Sequence, residues 1–244
     1  MLKGQRILAV VPARSGSKGI PDKNMRPLLG TSLIGWAGRT LAQVPSIDVR
    51  LISTDSARYA TEGQRYGLDA PFLRPENLSS DRAGAVETMQ HALLAAEAHY
   101  GCRFDVILIV EPTCPLRRPE DVEGTIQRLV EAEADSVVTV SPLPAKSHPQ
   151  KILVAEDDQL RFYLPGGNTI QSRQALASSY YYRNGACYAL TRRCLVDQGV
   201  IFTDRTLPFV ITRPLVNIDE PLELRWAELL MSELADDKAD NEQQ

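Results

Sequence analysis

Apolar residues fall along this chain in short unbroken runs, each ending in small or turn-forming residues. Residues 7–11 (ILAVV), 48–53 (DVRLIS), 105–110 (DVILIV) and 136–140 (SVVTV) are β-prone and too short for helices. Runs that are apolar at consecutive positions suit strands covered on both faces of a parallel sheet. Between them the spacing turns helical. Leu33, Ile34, Ala37 and Leu41 share one face of a helix over 33–43, with Ser32 as N-cap and Pro45 just beyond its end. A second helix spans 57–66 and is closed by Gly67. A third spans 83–100, capped from Ser79-Ser80-Asp81 and packed through Val86, Met89, Leu93 and Leu94. The fourth, 119–131, has Pro119 and acidic residues in its first turn, where they suit the helix dipole. Strands and helices alternating in this order specify an α/β domain, a mostly parallel sheet between helical layers.

The rhythm breaks after residue 140. Residues 141–150 are rich in proline, and short strands at 152–154 and 160–163 flank the polar 156–159. This is a hairpin-like excursion, not another βαβ unit. The expected division is an α/β domain over 1–140 and 182–235, a small excursion over 141–181, and a frayed tail over 236–244. An exposed hairpin with apolar residues commonly needs a partner surface. Further on, 180–182 reads as a strand with one buried face, and Asn184-Gly185 as a tight turn before a strand over 186–190. A short strand is expected over 209–212, and the last helix over 221–234. In Val216-Asn217-Ile218-Asp219 polar and apolar residues alternate, so Asn217 and Asp219 point to one face.

Composition narrows the classes. The 244 residues are 43% hydrophobic, enough for one large domain with a small appendage. The net charge of −4 gives no basic field for nucleic acid. Cys102, Cys114, Cys187 and Cys194 show no CxxC spacing and the three histidines are dispersed, so no zinc site is expected. His91 and His99 read as ordinary helix residues. The first residues turn polar too quickly for a signal peptide and no segment reaches transmembrane length, so a cytoplasmic protein without a membrane partner is expected.

The chemistry gathers in the stretch after the first strand. Ala13, Ser15, Gly16, Ser17 and Gly19 are small, and Arg14, Lys18 and Lys23 are cationic. Small residues let backbone N–H groups approach a ligand and the cations supply charge, a combination suited to a polyphosphate. The stretch follows a strand, where parallel α/β sheets place their ligands. It has neither the Gly-Lys-Ser/Thr ending of a Walker A loop nor a GxGxxG pattern. An ordinary solvated turn is the competing reading.

The sequence from Pro12 to Asn24, PARSGSKGIPDKN, resembles the signature of the acylneuraminate cytidylyltransferases, the CMP-sialic acid synthetase family. Ser53-Thr54-Asp55, Leu73-Arg74-Pro75-Glu76 with Ser80-Asp81, the stretch from Pro112 to Arg117, Arg173-Gln174, Asn184-Gly185-Ala186 and Asn217-Ile218-Asp219 follow in the family's order. The resemblance implies a three-layer, Rossmann-like nucleotidyltransferase fold with a dimerising excursion, and transfer of a cytidylyl group from CTP to a sialic-like nonulosonic acid. It implies that Ala13, Arg14, Ser17 and Lys18 hold the triphosphate, and that Asn24 and Arg74 contact the cytidine. Glu111, Lys151, Arg173, Asn184 and Phe202 would face the sugar. Asp219 and Asn217 would hold magnesium, with Arg14, Lys18 and Asp219 as the catalytic set. The excursion would cross to a second subunit, giving a homodimer; a monomer with a folded-back lid is the alternative. Three positions depart from the family pattern: Glu111 replaces a usual glutamine, Cys114 a serine, and Asn217 an aspartate. Glu111 either faces the sugar or turns away to pair with Arg117. A Kdo-type acidic sugar as substrate, or a binding protein that has lost catalysis, are the other readings.

Overall fold

The computed structural model describes residues 2–80, 83–166 and 180–241, with side chains as far as 234. In chain order the elements are β1 (Ile7–Pro12), β2 (Pro27–Leu28), β3 (Thr31–Ser32), α1 (Leu33–Ala42), β4 (Val49–Ser53), α2 (Ala57–Arg65), α3 (Ala85–Tyr100), β5 (Val106–Ile109), α4 (Pro119–Glu131) and β6 (Ser136–Pro142). They continue as β7 (Leu153–Glu156), β8 (Gln159–Phe162), β9 (Tyr181–Thr191), β10 (Thr206–Val210) and α5 (Pro221–Asn241). Six strands form one sheet in the order β10-β6-β9-β5-β1-β4. All neighbours are parallel except β9, which runs antiparallel to β5 and β6.

The consecutive apolar runs have the expected cause. In β1, Ile7, Ala9 and Val11 face a core containing Ile34 and Leu41 of α1 with Val122, Ile126 and Leu129 of α4. Leu8 and Val10 face the opposite core, with Met89 and Leu93 of α3. Each such side chain contributes about 1.5–3 kcal/mol by burial, which leaves no position on β1 indifferent to a polar substitution. The result is three layers. The order of connection creates the ligand crevice. From β1 the chain goes through α1 to β4 on one side, then returns to β5 on the other, so the loops leaving β1 and β5 part at the carboxyl ends of their strands.

Local chemistry sets most boundaries. Ser32 caps α1, its Oγ accepting from the Gly35 N–H at 3.0 Å. At α4 the Asp121 carboxylate accepts the Arg118 N–H at 2.7 Å and also binds Arg213. Four expectations need correction. The N-cap of α3 is Gly84, not the serine pair before it, and Asp81 lies outside the described residues. The buried stripe of α3 is Met89, Ala92, Leu93 and Ala96, while Leu94 is exposed; alanines complete that stripe because α3 packs close to the sheet. Tyr180, Tyr181 and Tyr182 are all exposed. Asn184-Gly185 is not a turn: both residues sit inside the single strand β9, where the register against β6 shifts between Val138 and Val140 and Gly185 has φ +71°. Glycine supplies the positive φ that such a bulge needs. The last edge strand also falls earlier than expected, at Thr206–Val210. The hairpin of β7 and β8 forms as expected, its turn residues Asp157 and Asp158 both at positive φ.

Candidate active site

Three segments meet at the carboxyl ends of β1 and β5. The first is the loop after β1. Its start is tied to β4 by the Ala13 N–H, which donates to the Ser53 carbonyl at 2.9 Å. Asp55, just beyond β4, accepts from the N–H and Oγ of Ser15 at 2.9 and 2.8 Å. Asn24 is buried, and its Nδ2 donates to the Arg14 carbonyl at 3.3 Å, so the far end of the loop holds its beginning. Gly19 allows a close approach: a Cβ there would lie 2.5 Å from the Asp219 carbonyl oxygen.

The second segment follows β5. Arg117 is buried; its Nε donates to the Ala186 carbonyl at 2.7 Å and its Nη2 donates to the Glu111 carbonyl. Arg117 therefore fixes the main chain at Glu111 and leaves the carboxylate directed elsewhere. Glu111 Oε2 accepts from Asn217 Nδ2 at 3.5 Å. Burial raises the Glu111 carboxyl above the usual carboxylate range, the nearby Asp219 adds to this, and Arg117 opposes it. Cys114, in the same loop, is buried and its thiol is pushed up to about 11, so it serves packing and not nucleophilic attack.

The third segment precedes α5. Val216 and Ile218 enter the core and the Ile218 N–H donates to the Thr113 carbonyl at 2.8 Å. Asn217 and Asp219 face the crevice, as alternation requires. Asp219 Oδ1 accepts from Lys23 Nζ at 2.8 Å, and the Asp219 N–H donates to Glu223 Oε2 at 2.6 Å, which caps α5. Asn217 Oδ1 is buried without a partner.

Arg74 comes from the stretch after α2, its N–H donating to the Thr54 carbonyl at 2.7 Å. The residue is 6% exposed, and its Nε and Nη2 have no partner. Burial lowers its pKa, against the pull of Asp55. An unpartnered buried guanidinium is costly to the empty protein and is satisfied by a ligand carrying acceptors.

These segments enclose a cleft of about 690 Å³. Arg14, Ser17, Lys18, Asn24, Arg74, Glu111, Asn217 and Asp219 all line it. A second recess of about 280 Å³ adjoins it, sharing Arg14, Arg74 and Glu111 and continuing past Leu78, Ser80 and Thr88. Ala13 lies behind the loop, fully buried. Other expected sugar contacts lie apart. Asn184 is buried, and its amide is engaged within the sheet: Oδ1 accepts from Thr139 Oγ1 at 2.7 Å and Nδ2 donates to Ser141 Oγ at 3.1 Å. Lys151 is exposed in a single turn of 3-10 helix before β7. Phe202 is half-exposed, with the Arg183 guanidinium 5.8 Å from its ring centre. Arg173 lies outside the described residues. Sequence reasoning assigned no site role to Lys23, Asp55 or Gly185. Lys23 and Asp55 sit in quoted motifs, but their pairings join positions far apart in the chain.

A family model described as Cytidylyltransferase matches residues 8–203. The chain is 29% identical over 228 residues to CMP-N,N'-diacetyllegionaminic acid synthase of Legionella pneumophila, covering 93% of this chain and 96% of that protein. It is 25% identical over 224 residues to the pseudaminic acid cytidylyltransferase of Campylobacter jejuni, with 91% and 95% covered. Its fold is similar to that of CMP:2-keto-3-deoxy-manno-octonic acid synthetase complexed with CTP, at a TM-score of 0.67 and 18% identity, with 93% and 99% of the two chains covered. With a phosphate-type loop, a buried arginine awaiting acceptors and a family match over most of its length, the chain belongs to the cytidylyltransferase family.

Proposed function

We propose that the protein transfers the cytidylyl group of CTP to the anomeric 2-hydroxyl of a sialic-like nonulosonic acid, releasing pyrophosphate. The observation that carries this is the buried Arg74, with two unpartnered nitrogens, in one cleft with the cationic Arg14–Lys18 loop. Relatives named for legionaminic and pseudaminic acids support the sugar class. The loop N–H groups, Ser17, Arg14 and Lys18 hold the triphosphate and stabilise the charge that develops on the leaving pyrophosphate. Asn24 and Arg74 hold the cytidine. The sugar hydroxyl oxygen bonds to the α-phosphorus as the bond to pyrophosphate breaks, so the protein's task is alignment and charge neutralisation more than covalent chemistry.

Magnesium is the proposed cofactor. Asp219 and Asn217 would hold it: the buried Asn217 Oδ1 lacks a partner and faces the carboxylate-lined cleft. Among the described residues no group of three or more His, Cys, Asp or Glu side chains forms a metal cage. That suits magnesium, which commonly takes one or two protein carboxylates and completes its shell with phosphate oxygens and water. When bound it supplies charge that neutralises the phosphates.

The active form in this account is a homodimer in the cytoplasm. The β7–β8 hairpin exposes Leu153, Leu160 and Phe162, with Tyr163 beside them. Covering them on a second copy would bring Lys151, Arg173 and Phe202 to the partner's sugar. The described cysteines are unpaired, as a reducing compartment allows, and no helix among the described residues is long and apolar enough to cross a membrane. The chemical step is tested with sugar carrying ¹⁸O at the 2-hydroxyl. Mass spectrometry is expected to find the label in the phosphodiester bridge of a CMP-sugar; label in water or pyrophosphate would refute attack by that oxygen.

A further inference from the structure

Glu111 leads the loop after β5, Asn217 precedes α5, and the bulge of β9 lies against both. A Cβ on Gly185 would lie 2.6 Å from Glu111 Oε2 and 3.1 Å from Asn217 Nδ2, so the bulge glycine is what leaves room for the pair. The pair orients the amide: Asn217 Nδ2 donates to the Glu111 carboxylate, which leaves Oδ1 buried and without a partner. Arg117, the nearest cation by sequence, is engaged with the main-chain carbonyls of Glu111 and Ala186. The Glu111 carboxylate therefore meets the cleft with an amide, and not a guanidinium, at its oxygen. Asp219 lines the same cleft, with the Lys23 ammonium on its carboxylate, so a cation already sits at this end of the site.

Positions 111 and 217 are also two of the three at which the sequence departs from the family pattern, glutamine being usual at the first and aspartate at the second. The departures are complementary in charge, and the structure puts them in contact. We propose that Glu111 and Asn217 form an exchanged carboxylate–amide pair, in which Glu111 carries the negative charge that retains the divalent cation of the nucleotide and Asn217 offers its carbonyl oxygen. This rests on the cytidylyl-transfer assignment and its cation, and adds the residue that makes the asparagine functional. Cation affinity is then a property of the pair: moving the charge from one position to the other conserves it, and removing it does not.

The test compares wild type, Glu111→Gln and the double variant Glu111→Gln/Asn217→Asp. All are near-isosteric, and thermal unfolding checks that each is folded. The probe is manganese(II), whose CTP-dependent binding is read from the electron paramagnetic resonance signal of the unbound ion. Glu111→Gln is expected to weaken that binding about 10–100-fold, the usual cost of losing a supporting group at a metal site. The double variant is expected to return to within about fivefold of wild type, the signature of two coupled positions. Wild-type affinity in Glu111→Gln, or a double variant no better than that single one, overturns the exchange. The double variant decides alone if the single one is unstable. Absence of CTP-dependent manganese binding in wild type overturns the cation assignment itself, and the exchange with it.

Discussion

Replacing Arg74 by methionine is expected to stabilise the empty protein while destroying its affinity for CTP. Methionine keeps most of the buried stem and removes the guanidinium. A buried donor without a partner costs about 1–3 kcal/mol, and Nε and Nη2 are both in that condition. The amount at stake is therefore roughly 2–6 kcal/mol. Two electrostatic changes act on it in opposite directions: Asp55 loses a nearby cation, and Arg14 loses a nearby like charge. A net gain of about 1–2 kcal/mol is left, which for a chain of this length raises the melting temperature by about 2–8 °C. In the complex the same two nitrogens donate to the nucleotide. Hydrogen bonds from a charged donor are worth about 1.5–3 kcal/mol each, so losing two weakens CTP about 10²–10⁴-fold. Thermal denaturation without ligand and calorimetric titration with CTP measure the two effects on one preparation. A lower melting temperature together with unchanged CTP affinity would show that Arg74 is a structural residue satisfied within the protein, and the reasoning would fail.

Lys18→Ala is expected to lower turnover about 10²–10³-fold, as for loss of one charge-stabilising group, with the unfolding transition unmoved because Lys18 is exposed; retained turnover would remove it from the catalytic set. Leu160→Glu with Phe162→Glu is expected to give a monomer in sedimentation velocity and to reduce activity, whereas an intact dimer would place the subunit contact elsewhere. Burial alone would raise the Glu97 carboxyl, but hydrogen bonds from Arg192 and the Phe104 N–H outweigh it and hold the group below its usual range. The stability this contributes is present above the unfolded carboxyl's pKa and is lost as pH falls through the depressed one. Arg192→Met is accordingly expected to move the acid-unfolding midpoint upward, and an unchanged midpoint would refute the linkage.

The central strands were legible because each is covered on both faces, so sequence and burial agree without reference to partners. Pro119 at the start of α4 and Ser32 before α1 were legible because capping is a local matter. Asn184-Gly185 misled for the opposite reason. The dipeptide has turn chemistry, but pairing of β9 with both β5 and β6 carries the chain straight through and converts the glycine into a bulge. At the site, the loop from Pro12 to Asn24 and the alternation at Asn217 and Asp219 pointed to the right face of the sheet. The contacts that give them meaning did not show in the sequence. Lys23 with Asp219 and Glu111 with Asn217 depend on where the ends of β1 and β5 meet the segment before α5, which only the assembled sheet determines.

Pyrophosphate release by the purified protein, with CTP, magnesium and a panel of nonulosonic acids each omitted in turn, tests the central claim most directly. The account requires release that depends on CTP and on one acidic nonulosonic sugar, and that disappears when either is left out. Release without sugar, equal release from another nucleoside triphosphate, or silence across the panel while CTP still binds would contradict it.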